Sequence, residues 1–161
     1  MGSARRLALV TAAAVVAIDA ATKALAVHFL SARGSVSVLG VLHLDLYRNF
    51  AGPRNTFAGH TVLISLAAMV AVAAFALLAT RVNTTPFALA VGLALGAGIG
   101  NLLDRLLRSP GPLRGGVVDW LRPGWSSGSM NVADLAIQVA IAVLVVAALQ
   151  DLLARPKSAR T

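Results

Sequence analysis

A four-span α-helical membrane protein with a small β element beside the bundle is the fold class this sequence predicts, and three observations predict it. The chain of 161 residues is 58% hydrophobic and 12% charged, whereas soluble domains carry about 25% charged residues. Apolar runs at about 7–30, 61–80, 86–107 and 131–154 each reach the roughly 20 residues that a helix needs to cross a bilayer. Between the first two runs, apolar and polar residues alternate with period two, the pattern of a half-buried strand. Two substantial connections, 31–60 and 108–130, and a turn at 81–85 take up the rest. The expectation is one integral membrane unit over 1–161 with no separate soluble domain.

The first span follows Arg5 and Arg6. Its start has the charge and apolar pattern of a signal peptide, with Ala24-Leu25-Ala26 as a cleavage-like triplet, but Asp19 and Lys23 are unwelcome in such a segment and favour a retained helix. They stand at i and i+4 with the acid first, the favourable order for an ion pair. Past this span, Leu42, Leu44 and Leu46 alternate with His43, Asp45 and Tyr47, and Val36 and Val38 suggest a short partner strand. Asn49 to Gly59 is rich in Gly, Asn and Pro and reads as a structured turn. The third span carries Gly92, Gly96 and Gly100 at four-residue spacing, which lets helix backbones approach closely. Its Gly96-Ala97-Gly98-Ile99-Gly100 run follows no strand, so it reads as packing and not as a nucleotide loop. Segment 108–130 is rich in Gly, Pro and Ser. Its Trp120 and Trp125 favour the membrane interface.

Composition narrows the chemistry. There is no Cys, which removes disulfides, thiolate catalysis and Cys-ligated metals. His28, His43 and His60 are scattered and suggest no metal site, and no cofactor motif appears. Ser126, Ser127 and Ser129 lack an evident base. The net charge of +8 fits basic flanks against anionic headgroups better than nucleic acid, for which no motif is present. Basic residues do not orient the chain. Arg5, Arg6, Arg81, Arg155, Lys157 and Arg160 on one side balance Arg33, Arg48, Arg54, Arg108, Arg114 and Arg122 on the other.

The six acidic residues are all Asp. A carboxylate at the centre of a bilayer costs about 2.5–3.5 kcal/mol on the insertion scale, so Asp19, Asp104 and Asp134, in or at the ends of spans, mark a polar site. Asn101 and Asp104 share a helical face at i and i+3, as do Asn131 and Asp134. One loop joins the third span to the fourth, so Asp104, Asp119 and Asp134 can converge at one depth, with Arg105 as a counter-ion for Asp104. Two close carboxyls do not both ionise easily. Such a pair can activate water and protonate a leaving amine, which suits metal-free peptide hydrolysis. Spacing does not choose the pair among the three Asp. It also leaves open a small proton-coupled transporter and a purely structural polar network.

Taken together, these residues resemble the lipoprotein signal peptidases (signal peptidase II). Asp19-Ala-Ala-Thr-Lys23 resembles the family's Asp-x-x-x-Lys box. Gly96 to Arg105 resembles Gly-Gly-x-x-Gly-Asn-x-x-Asp-Arg. Val117-Val-Asp-Trp120 resembles Val-Val-Asp-Phe, and Asn131-Val-Ala-Asp134 resembles Asn-x-Ala-Asp. The resemblance implies four transmembrane helices with a small extracytoplasmic β-cradle, cytoplasmic termini, and an active site near the outer face of a bacterial cytoplasmic membrane. It implies an aspartyl endopeptidase that cuts diacylglyceryl-modified prolipoproteins just before the lipidated Cys, is blocked by globomycin-type cyclic peptides, and works as a monomer among membrane lipids without metal or cofactor. Asp119 and Asp134 would be catalytic. Asp19, Lys23, Asn49, Gly52, Asn101, Asp104, Arg105 and Asn131 would support the site or hold substrate. The chain departs from the family's Asn-x-Gly-Ala-Ala-Phe box: Asn49-Phe-Ala-Gly52 is followed by Pro53, Arg54 and Asn55 before Phe57. Ala97 replaces a Gly, and Leu135 stands where Ser is common. These departures point to an altered substrate range, or to a silent relative that binds lipidated peptides.

Overall fold

A computed structural model describes residues 2–52 and 56–154. Four helices are long and apolar enough to cross a membrane: α1 (Ser3–Leu30), α2 (Thr61–Ala79), α3 (Thr85–Leu107) and α4 (Val132–Ala154). Strands β1 (Val36–Val38), β2 (Leu42–Asn49) and β3 (Val117–Pro123) form one antiparallel sheet in the order β1-β2-β3. The chain enters the sheet from the end of α1 and leaves β3 into the start of α4, so sheet and helix ends share one side of the bundle. Helix α1 starts at Ser3 rather than at Leu7, because Ala4, Arg5 and Arg6 are good helix formers. Pro86 sits in the first turn of α3, where its missing N–H costs no hydrogen bond.

Helix α3 is the hub, packed against α1, α2 and α4. Its small residues dictate how close α1 can come. A Cβ on Gly92 would lie 2.5 Å from the Ala8 carbonyl oxygen, and one on Gly96 would lie 2.6 Å from that of Ala12. Ala8 and Ala12 complete the contact with Ala88, Val91 and Leu95. Van der Waals contact between backbones replaces the hydrophobic drive that lipid cannot supply. In contrast, α2 fully buries only Ser65 and Ala79 and packs Val72 and Phe75 on the core, α4 buries Ala133, Ala136 and Ala140, and most of their other apolar side chains are left for lipid to solvate.

The connection 108–130, which reads as a loop, contains β3. Its strand-forming run Val117-Val-Asp-Trp-Leu is short and hemmed in by Gly, Pro and Ser, and becomes regular by pairing with β2. Burial along β2 does not alternate as the sequence suggests: every residue except exposed Tyr47 is partly buried. The register explains this. Leu44 pairs with Leu121 and Tyr47 with Asp119, so β2 carries one residue more than β3 in that interval. The bulge turns the end of β2 over and puts Asn49 on the same side as Tyr47, toward Asp119. Arg54 and the basic tail Arg155, Lys157 and Arg160 lie outside the described residues.

Replacing Gly96 by Val would drive α1 off α3. The expected cost is about 1–3 kcal/mol, the range for overpacking, read as a lowered thermal midpoint in detergent. Gly2→Ala, with nothing within 4 Å of the new methyl, should leave the midpoint nearly unchanged.

Candidate active site

Lys23 is the centre of a buried polar cluster. Its ammonium is 1% exposed and has three protons to place. Three acceptors surround it: Asp19 Oδ2 at 2.6 Å, Asp104 Oδ2 at 3.0 Å and Asn101 Oδ1 at 2.9 Å. A cation this deep is tolerable because two carboxylates lie at ion-pair distance and an amide oxygen accepts a hydrogen bond from it. Gly100 makes the arrangement possible, since a Cβ there would stand 2.5 Å from Asp19 Oδ2.

Each acceptor carries the network further. Asp19 Oδ1 accepts the Ala133 N–H at 3.1 Å and so caps the first turn of α4. Asp104 Oδ2 accepts the Val118 N–H at 3.0 Å, which fixes β3 one residue before Asp119. The partner of Asp104 Oδ1 is Arg108, one helical turn on. Arg105, the counter-ion the sequence suggests for Asp104, makes no close ion pair with it among the described residues, yet it lies near enough to feel the charges of Asp119 and Asp104. It is buried, and its Nη1 finds no hydrogen-bond partner among the described residues.

Asn131 joins the two remaining acids. It precedes α4, and its Oδ1 accepts the Asp134 N–H at 3.0 Å while Asp134 Oδ2 accepts the Asn131 N–H at 3.1 Å. This is a reciprocal capping box with Asn and Asp in the two places. The amide of the same residue donates to Asp119 Oδ1 at 2.6 Å and to Asn101 Oδ1 at 3.2 Å. Asn101 in turn donates to Asp134 Oδ1 at 3.3 Å. Asp119 is also held from β2, where Asn49 donates to Oδ2 at 3.0 Å. Asn49 Oδ1 accepts the N–H groups of Ala51 and Gly52 at 3.2 and 2.9 Å. Gly52 has φ +72°, a left-handed backbone that suits glycine in this tight Asx-type turn.

Asp119 and Asp134 therefore share one asparagine, and Asp104 stands apart, spent on Lys23, Arg108 and Val118. Burial, and next the nearby charge of Asp134, push the Asp119 carboxyl up to about 7, against the opposing pull of Asn49, Asn131 and Lys23. An acid pair of this kind holds a proton near neutrality on one member. A cleft of about 810 Å³ opens beside it between β2 and the 123–130 segment, with Tyr47, Asn49, Trp125, Ser127 and Met130 in its walls. Ser129 donates to Asp45 Oδ1 at 2.9 Å, and Arg122 pairs with Asp45 Oδ2 at 2.6 Å, which ties the far wall to β2. Sequence reasoning missed this tie and the Arg108 pairing. The i, i+4 spacing of Asp104 and Arg108 was the available signal for the second.

The fold and its acid cluster define a membrane protein of four helices whose polar groups gather at one end of the bundle. Residues 11–150 match the family described as signal peptidase (SPase) II. A lipoprotein signal peptidase of Mycobacterium leprae is 40% identical over 142 residues, which cover 88% of this chain and 70% of that protein. One from Mycolicibacterium smegmatis is 41% identical over 143 residues, 88% of this chain and 60% of its own length. One from Bifidobacterium longum is 40% identical over 136 residues, 84% and 74% of the two. A solved bacterial membrane enzyme shares the fold with a TM-score of 0.78 at 20% identity, covering 93% of this chain and 92% of its own. The chain belongs to the signal peptidase II family, a family of bacterial membrane peptidases that act on lipoproteins.

The raised Asp119 pKa has a consequence for stability. In the unfolded chain the group titrates near 3.8, and in the fold near 7. Between these values the fold keeps a proton that the unfolded chain has released. Stability from this group is complete below pH 3.8 and is lost as the pH rises to about 7. The thermal midpoint in detergent should fall over that interval, and Asp119→Asn should flatten the slope.

Proposed function

We propose that the chain is an aspartyl endopeptidase in which Asp119 and Asp134 hydrolyse the signal peptide of a diacylglyceryl-modified prolipoprotein just before its lipidated Cys. The sharing of Asn131 by both carboxyls is the observation that carries this reading. One carboxyl is neutral and the other ionised. The ionised member takes a proton from water as the water oxygen bonds to the scissile carbonyl carbon, and the neutral member gives its proton to the carbonyl oxygen. Collapse of the tetrahedral species breaks the C–N bond. The amine leaves with a proton from the carboxyl that received one. The raised pKa of Asp119 favours it as the neutral partner at and below about pH 7.

Asn49 and the Gly52 turn line the approach, so this chain's altered 52–57 segment bears on substrate range. In the proposed orientation the single membrane unit has cytoplasmic termini. Its sheet and acid pair lie near the extracytoplasmic face of a bacterial cytoplasmic membrane, and the chain acts as a monomer. A transport reading fares worse. Asp19, Lys23, Asn101 and Asp104 gather in a single cluster and trace no path across the bundle.

Purified protein in lipid should process a diacylglyceryl-modified prolipoprotein, with inhibition by a globomycin-type cyclic peptide. Asp119→Asn and Asp134→Asn should each lower kcat/KM by roughly 10²- to 10⁴-fold, the scale of a lost general acid or base, while thermal unfolding stays cooperative. Undiminished processing by the folded double variant would end the proposal.

A further inference from the structure

The same end of the bundle carries a second concave feature, on the outside of α2. Between the first turn of α2 and the 108–116 connection lies a crevice of about 740 Å³. Its wall is apolar, formed by Phe50, Val62, Leu63 and Leu66, and its rim carries His60 and Arg114. Leu63 and Leu66 are i and i+3 and so share a face of α2, both turned outward and exposed. Arg114 is exposed and makes no ion pair with a described carboxylate. The acids at this end are engaged elsewhere, Asp45 with Arg122, and Asp104 with Lys23 and Arg108. Arg48 adds to the surplus. Burial, and next the charge of Arg108, lower its pKa from the ordinary arginine value.

An apolar wall under an unneutralised cation, at the depth where a spanning helix emerges, selects an amphipathic anion. We propose that this crevice binds one anionic phospholipid, with its phosphate against Arg114 and an acyl chain along Leu63 and Leu66. An uncharged diacylglyceryl group would leave Arg114 without a counter-charge. A free phosphate would leave the wall uncovered. The site stands independently of the peptidase reading, yet it touches the acid pair through the chain. Buried Ser65 lies 2.7 Å from the Leu113 carbonyl oxygen and pins the connection to α2. The ring of Phe50 covers Gly116, three residues before Asp119. A lipid packed on Phe50 therefore braces the segment that delivers Asp119.

The test uses the full chain, reconstituted in vesicles of equal phosphatidylglycerol and phosphatidylcholine, released into mild detergent and weighed intact by mass spectrometry. Wild-type protein should retain one phosphatidylglycerol in preference to phosphatidylcholine. Arg114→Gln should weaken that retention about fivefold, the contribution of one interfacial arginine, and Arg114→Lys should restore most of it. Leu63→Ser should weaken retention with Arg114 intact. Equal retention of the two lipids by wild type would overturn the proposal, as would unchanged retention by Arg114→Gln. So would displacement of phosphatidylglycerol by a diacylglyceryl-modified peptide, which would make the crevice a substrate-lipid subsite.

Discussion

Lys23 places a full positive charge inside the helical bundle, and the fold around it is the answer to that charge. An ammonium away from water needs an acceptor for each of its protons. The acceptors come from Asp19 on its own helix and from Asn101 and Asp104 on α3. Bringing α3 that close requires the glycines of its α1 face, so the small-residue stripe and the buried cation are two parts of one constraint. Removing the cation would leave two carboxylates facing each other in low dielectric, which is why a broken buried pair is among the costliest defects in a protein, about 3–5 kcal/mol.

The secondary acceptors turn this structural core into a scaffold. Asp19 caps α4 through Ala133, and Asp104 fixes β3 through Val118. The start of α4 and the middle of β3 carry Asp134 and Asp119, so both acids are placed by groups bonded to Lys23. Asn131 then closes the arrangement by serving as helix cap and as bridge between the two. The three asparagines bonded to these acids, Asn49, Asn101 and Asn131, leave them little rotational freedom.

Much of this is written locally. Asp19 and Lys23 at i and i+4, and the two Asn-x-x-Asp pairs, put the right groups on the right helical faces by their spacing along the chain. The apolar runs mark the four helices because lipid requires satisfied backbone and apolar side chains in one segment. What is not written locally is pairing across the chain. Strand β3 exists because β2 lies beside it, and its own sequence is too short and too glycine-flanked to declare it. The bulge in β2 breaks the alternation that suggests a clean half-buried strand. Asp104 is occupied by Lys23, Arg108 and Val118 while Asp119 and Asp134 share Asn131, a choice of partners that spacing alone leaves open.

Burial raises the Asp119 carboxyl and the nearby charge of Asp134 raises it further, and the proposed chemistry rests on that second contribution. Infrared titration of the carboxyl C=O band in lipid reads it, with Asp119→Asn used to assign the band. The Asp119 band should titrate near 7, and Asp134→Asn should move its midpoint down. A midpoint in the ordinary carboxylate range, or one that stays in place when Asp134 loses its charge, would refute that contribution.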